Sequence, residues 1–216
     1  MSHWNILIMF CSLLDMYKIM VSAFEPFGRR RRNISQEVLE YWRSNYTSAT
    51  DSSVDLHTRV LPVAYSKMED LYKELVDGGF DCIILCGEFR RSSFVQVERI
   101  ALNVAHSTFK DNLGHQAVLE EIIPGEPLAL KTSLSTRAIV NRIRRRGVSA
   151  RISHGAGTFL CNAAYYLALR NQPNSVFLHF PGKMKVKSSS SKAKIVKLAD
   201  SLDCTYLYLL ELAACQ

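Results

Sequence analysis

The stretch "DCIILCG" (81–87) places five apolar residues in a row and stops on glycine. It is too short for a helix, and it lacks the alternation of a half-exposed strand, so it reads as a strand buried on both faces. Such a strand needs helices above and below it, and the chain supplies them. "SQEVLEYWRSNY" (35–46), "STRAIVNRIRRRG" (135–147) and "FLCNAAYYLALRN" (159–171) have helical periodicity. "SKMEDLYKELVDGGF" (66–80) carries Met68, Leu71 and Leu75 at helical spacing and is stopped by Gly78-Gly79. Residues 195–213 form a closing amphipathic helix. Strand-like segments lie between them at 17–24, 54–64, 94–106, 148–153 and 175–180. Strands alternating with helices across short turns predict an α/β fold, a single-domain three-layer α/β/α sandwich with a mostly parallel central sheet, over residues 16–216.

Two segments stand apart from this alternation. "KVKSSSSKAK" (185–194) reads as a polar low-complexity linker. "NILIMFCSLL" (5–14) is apolar but too short to span a bilayer, and Asp15 interrupts it. It lacks the basic start and small-residue cleavage site of a signal peptide. Residues 1–15 are expected to be an N-terminal extension outside the fold, a short anchor or signal being the alternative.

With 216 residues and 48% hydrophobic composition, the chain has enough apolar surface for one sizeable core. Its net charge of +7 owes much to two arginine clusters, "GRRRRN" (28–33) and "NRIRRRG" (141–147). Both fall at turn or helix-end positions where cations are solvated, the second against a helix C-terminus. No aromatic or glycine-rich recognition motif accompanies them, so neither a nucleic-acid nor a membrane partner is expected. Six cysteines are scattered without metal-ligand spacing, and their density is too low for a disulfide framework. Reduced thiols in the cytoplasm, with no metal and no cofactor, fit this usage.

In a parallel sheet a site forms at the C-terminal edge of the strands. Three polar features fall near such places. Cys161 follows the turn "HGAG" (154–157) and lies in the first turn of a helix that starts near Thr158, a candidate cap. Unpaired N–H groups and the positive dipole end there favour a thiolate and could stabilise an oxyanion. Two readings are open, a nucleophile and a small buried hydrophobe. His179, in "VFLHFPG", is flanked by apolar residues and is either a catalytic base or a core histidine bonded to backbone. Glu98 lies within a strand between Val97 and Arg99, where it orients a histidine or makes a salt bridge.

The motifs "KIMVSAFEPFG" (18–28), "RVLPV" (59–63), "VERIALN" (97–103), "DN" (111–112), "IPGEP" (123–127), "SHGAGTFLCN" (153–162) and "FLHFPG" (177–182) occur in the order that resembles the pyroglutamyl-peptidase I family of cysteine peptidases. The resemblance covers roughly residues 17–182. It implies a thiol peptidase that removes an N-terminal pyroglutamate from peptides without a metal, often as a tetramer. It also implies a triad of Cys161, His179 and Glu98, with a thioester acyl-enzyme. Phe24 and Phe27 resemble the aromatics that clamp the flat lactam ring, and Phe159 and Leu160 would wall the pocket beside the thiol. Asn33 and Glu88 fall at further pocket positions.

The pattern departs from the family at several places. Arg29 replaces the second glycine of "FEPFGG", and Asn33-Ile34-Ser35 replaces "NPS". Glu88 falls in a segment that is usually small and glycine-rich. Thr108 stands where the family's "DARIPDN" has its arginine, and Pro181-Gly182 replaces a Pro-aromatic pair. The retained triad favours an active enzyme with altered surroundings. The alternative is a catalytically weak member that binds capped N-termini without efficient cleavage.

Overall fold

A computed structural model of the chain describes residues 16–46, 53–184 and 190–215. The N-terminal extension 1–15 and the first part of the expected linker, 185–189, lie outside the described residues. The central sheet has six strands in the order β2-β1-β3-β8-β4-β7. These are β1 (Tyr17–Phe24), β2 (Val54–Leu61), β3 (Cys82–Phe89), β4 (Val95–Glu98), β7 (Ala150–Ser153) and β8 (Ser175–Pro181). All neighbours run parallel except β4 and β8.

Helices cover both faces. Helices α1 (Ile34–Tyr46), α3 (Thr136–Arg145) and α5 (Ser191–Ala213) pack on one side through Leu39, Ile143 and Leu202. Helices α2 (Met68–Gly78) and α4 (Leu160–Asn171) pack on the other through Leu71, Leu75, Ala164 and Leu167. Strand β3 shows why both layers are needed, since Cys82, Ile84 and Cys86 point to the first and Ile83 and Leu85 to the second. Trp42 ties α1 to α5, fully buried with its Nε1 donating to Asp203 at 3.3 Å and its ring edge-on to Tyr206 at 5.1 Å.

Local signals set the ends of the elements. Asn33 caps α1, its Oδ1 accepting from the Ser35 N–H at 3.0 Å. Helix α2 follows a 3₁₀ turn at Tyr65–Lys67 and ends at Gly79, whose φ of 57° is the left-handed conformation of a helix stop. Ser135 caps α3 by accepting from the Ala138 N–H. The second arginine cluster lies in the last turn of α3, where Arg142 pairs with Glu211 of α5 and lies over the Tyr208 ring.

Three expected boundaries are corrected. The predicted strand 94–106 is two elements, β4 and a separate β5 (Ile100–Leu102), which pairs antiparallel with β6 (Ala129–Lys131) in a second, two-stranded sheet. The chain leaves the main sheet at Arg99, and alternation alone carries no sign of that departure. Strand β2 stops at Leu61 rather than residue 64, because Pro62 has no N–H to continue the ladder. Helix α5 begins at Ser191, so the last four residues of the expected linker are helical.

Candidate active site

The period-2 geometry of two strands sets the site. In β4, Val95 and Val97 enter the core under α1, α3 and α5, which turns Gln96 and Glu98 to the α2/α4 face. In β8, Val176, Leu178 and Phe180 enter the same core, which turns Phe177 and His179 to the α2/α4 face. The antiparallel register sets Gln96 against His179 and Glu98 against Phe177. The two polar side chains meet across one strand pair, with His179 Nδ1 2.8 Å from Glu98 Oε1. Glu98 is fully buried, and its Oε2 has no hydrogen-bond partner among the described residues.

His179 is buried beneath aromatic rings, with Phe177 at 4.6 Å and Phe89 at 5.9 Å between centroids. Burial by itself would lower its pKa, but hydrogen bonds to Cys161 and Glu98 and the charges of both raise it to about 9. A ring held by Glu98 at Nδ1 presents its other nitrogen to the thiol. The ring is oriented, and its two partners favour its protonated form.

Cys161 reaches this pair from the second residue of α4, and its thiol is free and partly exposed. The expected cap, Thr158, lies one residue before the cap position, and its hydroxyl donates to the His106 carbonyl at 2.8 Å. Phe159 occupies the cap position without a side-chain bond, and its carbonyl accepts from the Asn162 and Ala163 N–H groups. The N–H groups of Leu160 and Cys161 lie in the first turn of α4, where they have no intrahelical acceptor. Asn162, next in the helix, is fully buried and clamps β5, accepting from the Leu102 N–H and donating to the Leu102 and Val104 carbonyls. That anchorage fixes the start of α4 against the sheet.

Gly87 completes the approach. A β-carbon there would lie 2.8 Å from the Phe177 ring and 3.0 Å from Cys161 Sγ, so only glycine lets β3 pass beside the thiol.

In front of Cys161 is a narrow slot of about 90 Å³ lined by Phe24, Phe27, Asn33, Glu88, Phe159 and Leu160. All six expected pocket residues thus converge on one place. Phe27 and Phe159 stand 5.2 Å apart between ring centroids and tilted by 57°. Asn112 holds the turn that presents Phe27. Its Nδ2 donates to Glu25 Oε1 and the Pro26 carbonyl, and its Oδ1 accepts from the Gly28 N–H, each at 2.9 Å. Gly28, at φ 63°, closes that turn in the left-handed region. Asn33 lines the slot while its Nδ2 donates to the Glu25 carbonyl, so it both shapes the turn and caps α1. Glu88 Oε1 is 3.6 Å from Arg90 Nε, and Glu88 Oε2 is 3.5 Å from the Ile34 nitrogen.

Comparison with known proteins agrees with this geometry. A family model described as pyroglutamyl peptidase matches residues 17–187. A pyrrolidone-carboxylate peptidase from Chromobacterium violaceum is 33% identical over 168 residues, 77% of this chain and 78% of its own. The chain belongs to the pyroglutamyl peptidase family. Among solved structures, pyrrolidone carboxyl peptidase from Thermus thermophilus superposes with a TM-score of 0.76 at 27% identity, covering 87% of this chain and 98% of that one. A variant of the enzyme from P. furiosus gives 0.77 at 29% identity, covering 90% and 98%.

Three of the departures from the family pattern, Glu88, Thr108 and Gly182, line a space next to the slot. Arg29 is exposed. Thr108 is also exposed and lines a second, wider cleft that adjoins the slot. Glu88 borders both spaces. Among the described residues no cluster of three or more His, Cys, Asp or Glu side chains could hold a metal ion, and no helix is long and apolar enough to cross a membrane.

The sequence reading missed several residues that hold the site. Gly87 and Phe177 pack on Cys161 and His179, and the Tyr165 hydroxyl donates to the Glu98 carbonyl at 3.0 Å. The glycine that ends "DCIILCG" was a visible signal for the first of these. Phe177 and Tyr165 look like ordinary core aromatics, and nothing local distinguishes them.

Proposed function

We propose that the chain hydrolyses the amide bond after an N-terminal pyroglutamyl residue, with Cys161 as nucleophile, His179 as the group that moves the proton, and Glu98 as its orienting partner. Family membership supports the reaction class. The observation that carries the residue assignment is the buried Glu98–His179 hydrogen bond, with the partly exposed Cys161 thiol close enough to raise the His179 pKa, at an aromatic slot sized for a small ring.

In this reading Phe24, Phe27, Phe159 and Leu160 hold the faces of the lactam, while Asn33 and Glu88 set polar atoms at its edge. The Cys161 sulfur attacks the pyroglutamyl carbonyl carbon with its proton held by His179. The oxyanion that forms faces the N–H groups at the start of α4. Collapse breaks the C–N bond as His179 protonates the departing amine, leaving a thioester on Cys161. His179 then takes a proton from water, whose oxygen attacks the thioester. Pyroglutamate leaves, and the proton returns to the thiol. Glu98 keeps the imidazole in the orientation that serves both halves. The free thiols suit a reducing, cytoplasmic compartment.

The test is release of a fluorophore from a pyroglutamyl amide. Wild type should turn over, and Cys161→Ala should lose activity to background. Full activity in Cys161→Ala, or none in wild type, overturns the assignment. The altered residues Arg29, Glu88 and Thr108 favour a second reading, binding of capped N-termini with little cleavage. Calorimetric binding of a pyroglutamyl peptide to a wild type that lacks turnover would select it.

A further inference from the structure

We propose that the wide cleft beside the slot is a subsite for the leaving peptide that selects acidic side chains in the residues just after the pyroglutamyl ring. This rests on the function proposed above and adds the class of substrate. The cleft measures about 940 Å³ and shares Phe27, Arg30, Glu88 and Phe159 with the slot. A peptide whose first ring fills the slot therefore has its following residues in the cleft, on the far side of the scissile bond.

The cleft wall is strongly cationic. Arg30, Arg90, Arg91, Lys183 and Lys194 line it, and among the described residues Glu88 is its one carboxylate. Glu88 sits 3.6 Å from Arg90 Nε and is thereby largely occupied. The ammonium of Lys194 donates to the Gly182 carbonyl at 2.7 Å. That leaves Arg30, Arg91 and Lys183 with no ion-pair partner among the described residues, all three exposed on one concave surface. Like charges gathered in a concavity repel one another and focus a positive field into it. A carboxylate entering the cleft relieves that repulsion, whereas a lysine or arginine adds to it, so the wall discriminates in both directions. Phe89 and Phe109 supply apolar surface for the peptide stem between the charges.

The same wall explains part of the first arginine run. All four arginines are exposed; Arg32 borders the slot but pairs with Glu37, Arg29 and Arg31 line neither space, and Arg30 lines both the slot and the cleft. The sequence alone does not separate it from its neighbours.

The experiment compares kcat/KM for short pyroglutamyl peptides that differ only in the second residue, glutamate, alanine or lysine, at low and high salt. From two or three exposed charge contacts, the glutamate peptide should exceed the lysine peptide by about fivefold to tenfold at low salt. The ratio should shrink at about 1 M salt, where screening acts over roughly 3 Å. The double variant Arg91→Gln/Lys183→Gln should lose most of the ratio. Arg137→Gln/Arg145→Gln, which removes the same charge from the exposed side of α3, should keep it. Hydrolysis of the alanine peptide reports on the slot and triad separately from the cleft. If that hydrolysis is absent, the proposed function fails, and the cleft is judged by calorimetric binding of the same peptides to Cys161→Ala. Tighter salt-sensitive binding of the glutamate peptide supports the subsite. Equal or reversed preference in either measurement, no binding of any of the peptides, or an equal loss in the α3 variant, overturns it.

Discussion

The two faces of the central sheet are built from the same strands and do different work. On the α1/α3/α5 face, β4 and β8 contribute Val95, Val97, Val176, Leu178 and Phe180 to a continuous apolar core. On the α2/α4 face the alternate residues are Gln96, Glu98, Phe177 and His179, and α4 brings Cys161 to meet them. A shift of one residue in either strand would exchange the two sets, so the strand register that packs the core also brings Glu98 against His179. The lesson is that stability and chemistry are separated by side of sheet rather than by region of sequence. Substitutions on the two faces should therefore fail in different ways.

Beyond the thiol itself, the largest effect should come from Glu98→Gln. It removes the carboxylate that orients His179, and kcat/KM for a pyroglutamyl amide should fall on the order of 10³-fold. The same variant should alter the pH dependence of stability. The folded pKa of His179, about 9, lies above its ordinary value of roughly 6.5. Its contribution to stability is thus complete below about pH 6.5 and is lost as pH rises through about 9. Denaturant titrations of wild type should show that decline, and Glu98→Gln should flatten it. An unchanged slope would remove the buried pair as its cause.

Next in size is Gly87→Ala. The added methyl would press on Phe177 and on Cys161 Sγ, at 2.8 and 3.0 Å. It should cost about 1–3 kcal/mol of stability and at least about tenfold in kcat, because displacing the thiol spoils its alignment with His179. A variant that keeps full kcat would show that β3 does not fix the thiol.

The opposite face should give the reverse profile. Leu202→Ala empties a fully buried position on the inner face of α5 and should lower unfolding free energy by about 2–5 kcal/mol. Its kcat/KM below the unfolding transition should stay within about twofold of wild type. A large loss of activity in the folded variant would break the separation of faces.

Much of the architecture was legible because its signals are local. The unbroken run at Cys82–Cys86 declared a doubly covered strand, and Gly79 ended α2 where glycine pairs end helices; Phe27 of "FEPFG" sits in the turn and lines the slot, whereas Phe24, expected there too, ends β1 as a buried core residue that also borders the slot. The break at Arg99 was not legible, since "FVQVERIALNVAH" keeps alternating while the chain passes from one sheet to another. Thr158 looked like a helix cap because its residue type suits one, but the cap position falls one residue later, and its hydroxyl donates to the His106 carbonyl, far away in sequence. The meeting of Glu98 with His179 depends on an antiparallel register between two strands 81 residues apart, which no local pattern encodes.

The most direct test of the account is to find the acyl group itself. Wild type mixed with a pyroglutamyl ester, quenched in acid and digested should yield a Cys161 peptide heavier by one pyroglutamyl group less a hydrogen. The adduct should be absent from Cys161→Ala. Turnover without that adduct under conditions where deacylation limits the rate, or an adduct on another cysteine, would contradict the claim that the slot, His179 and Glu98 exist to serve this thiol.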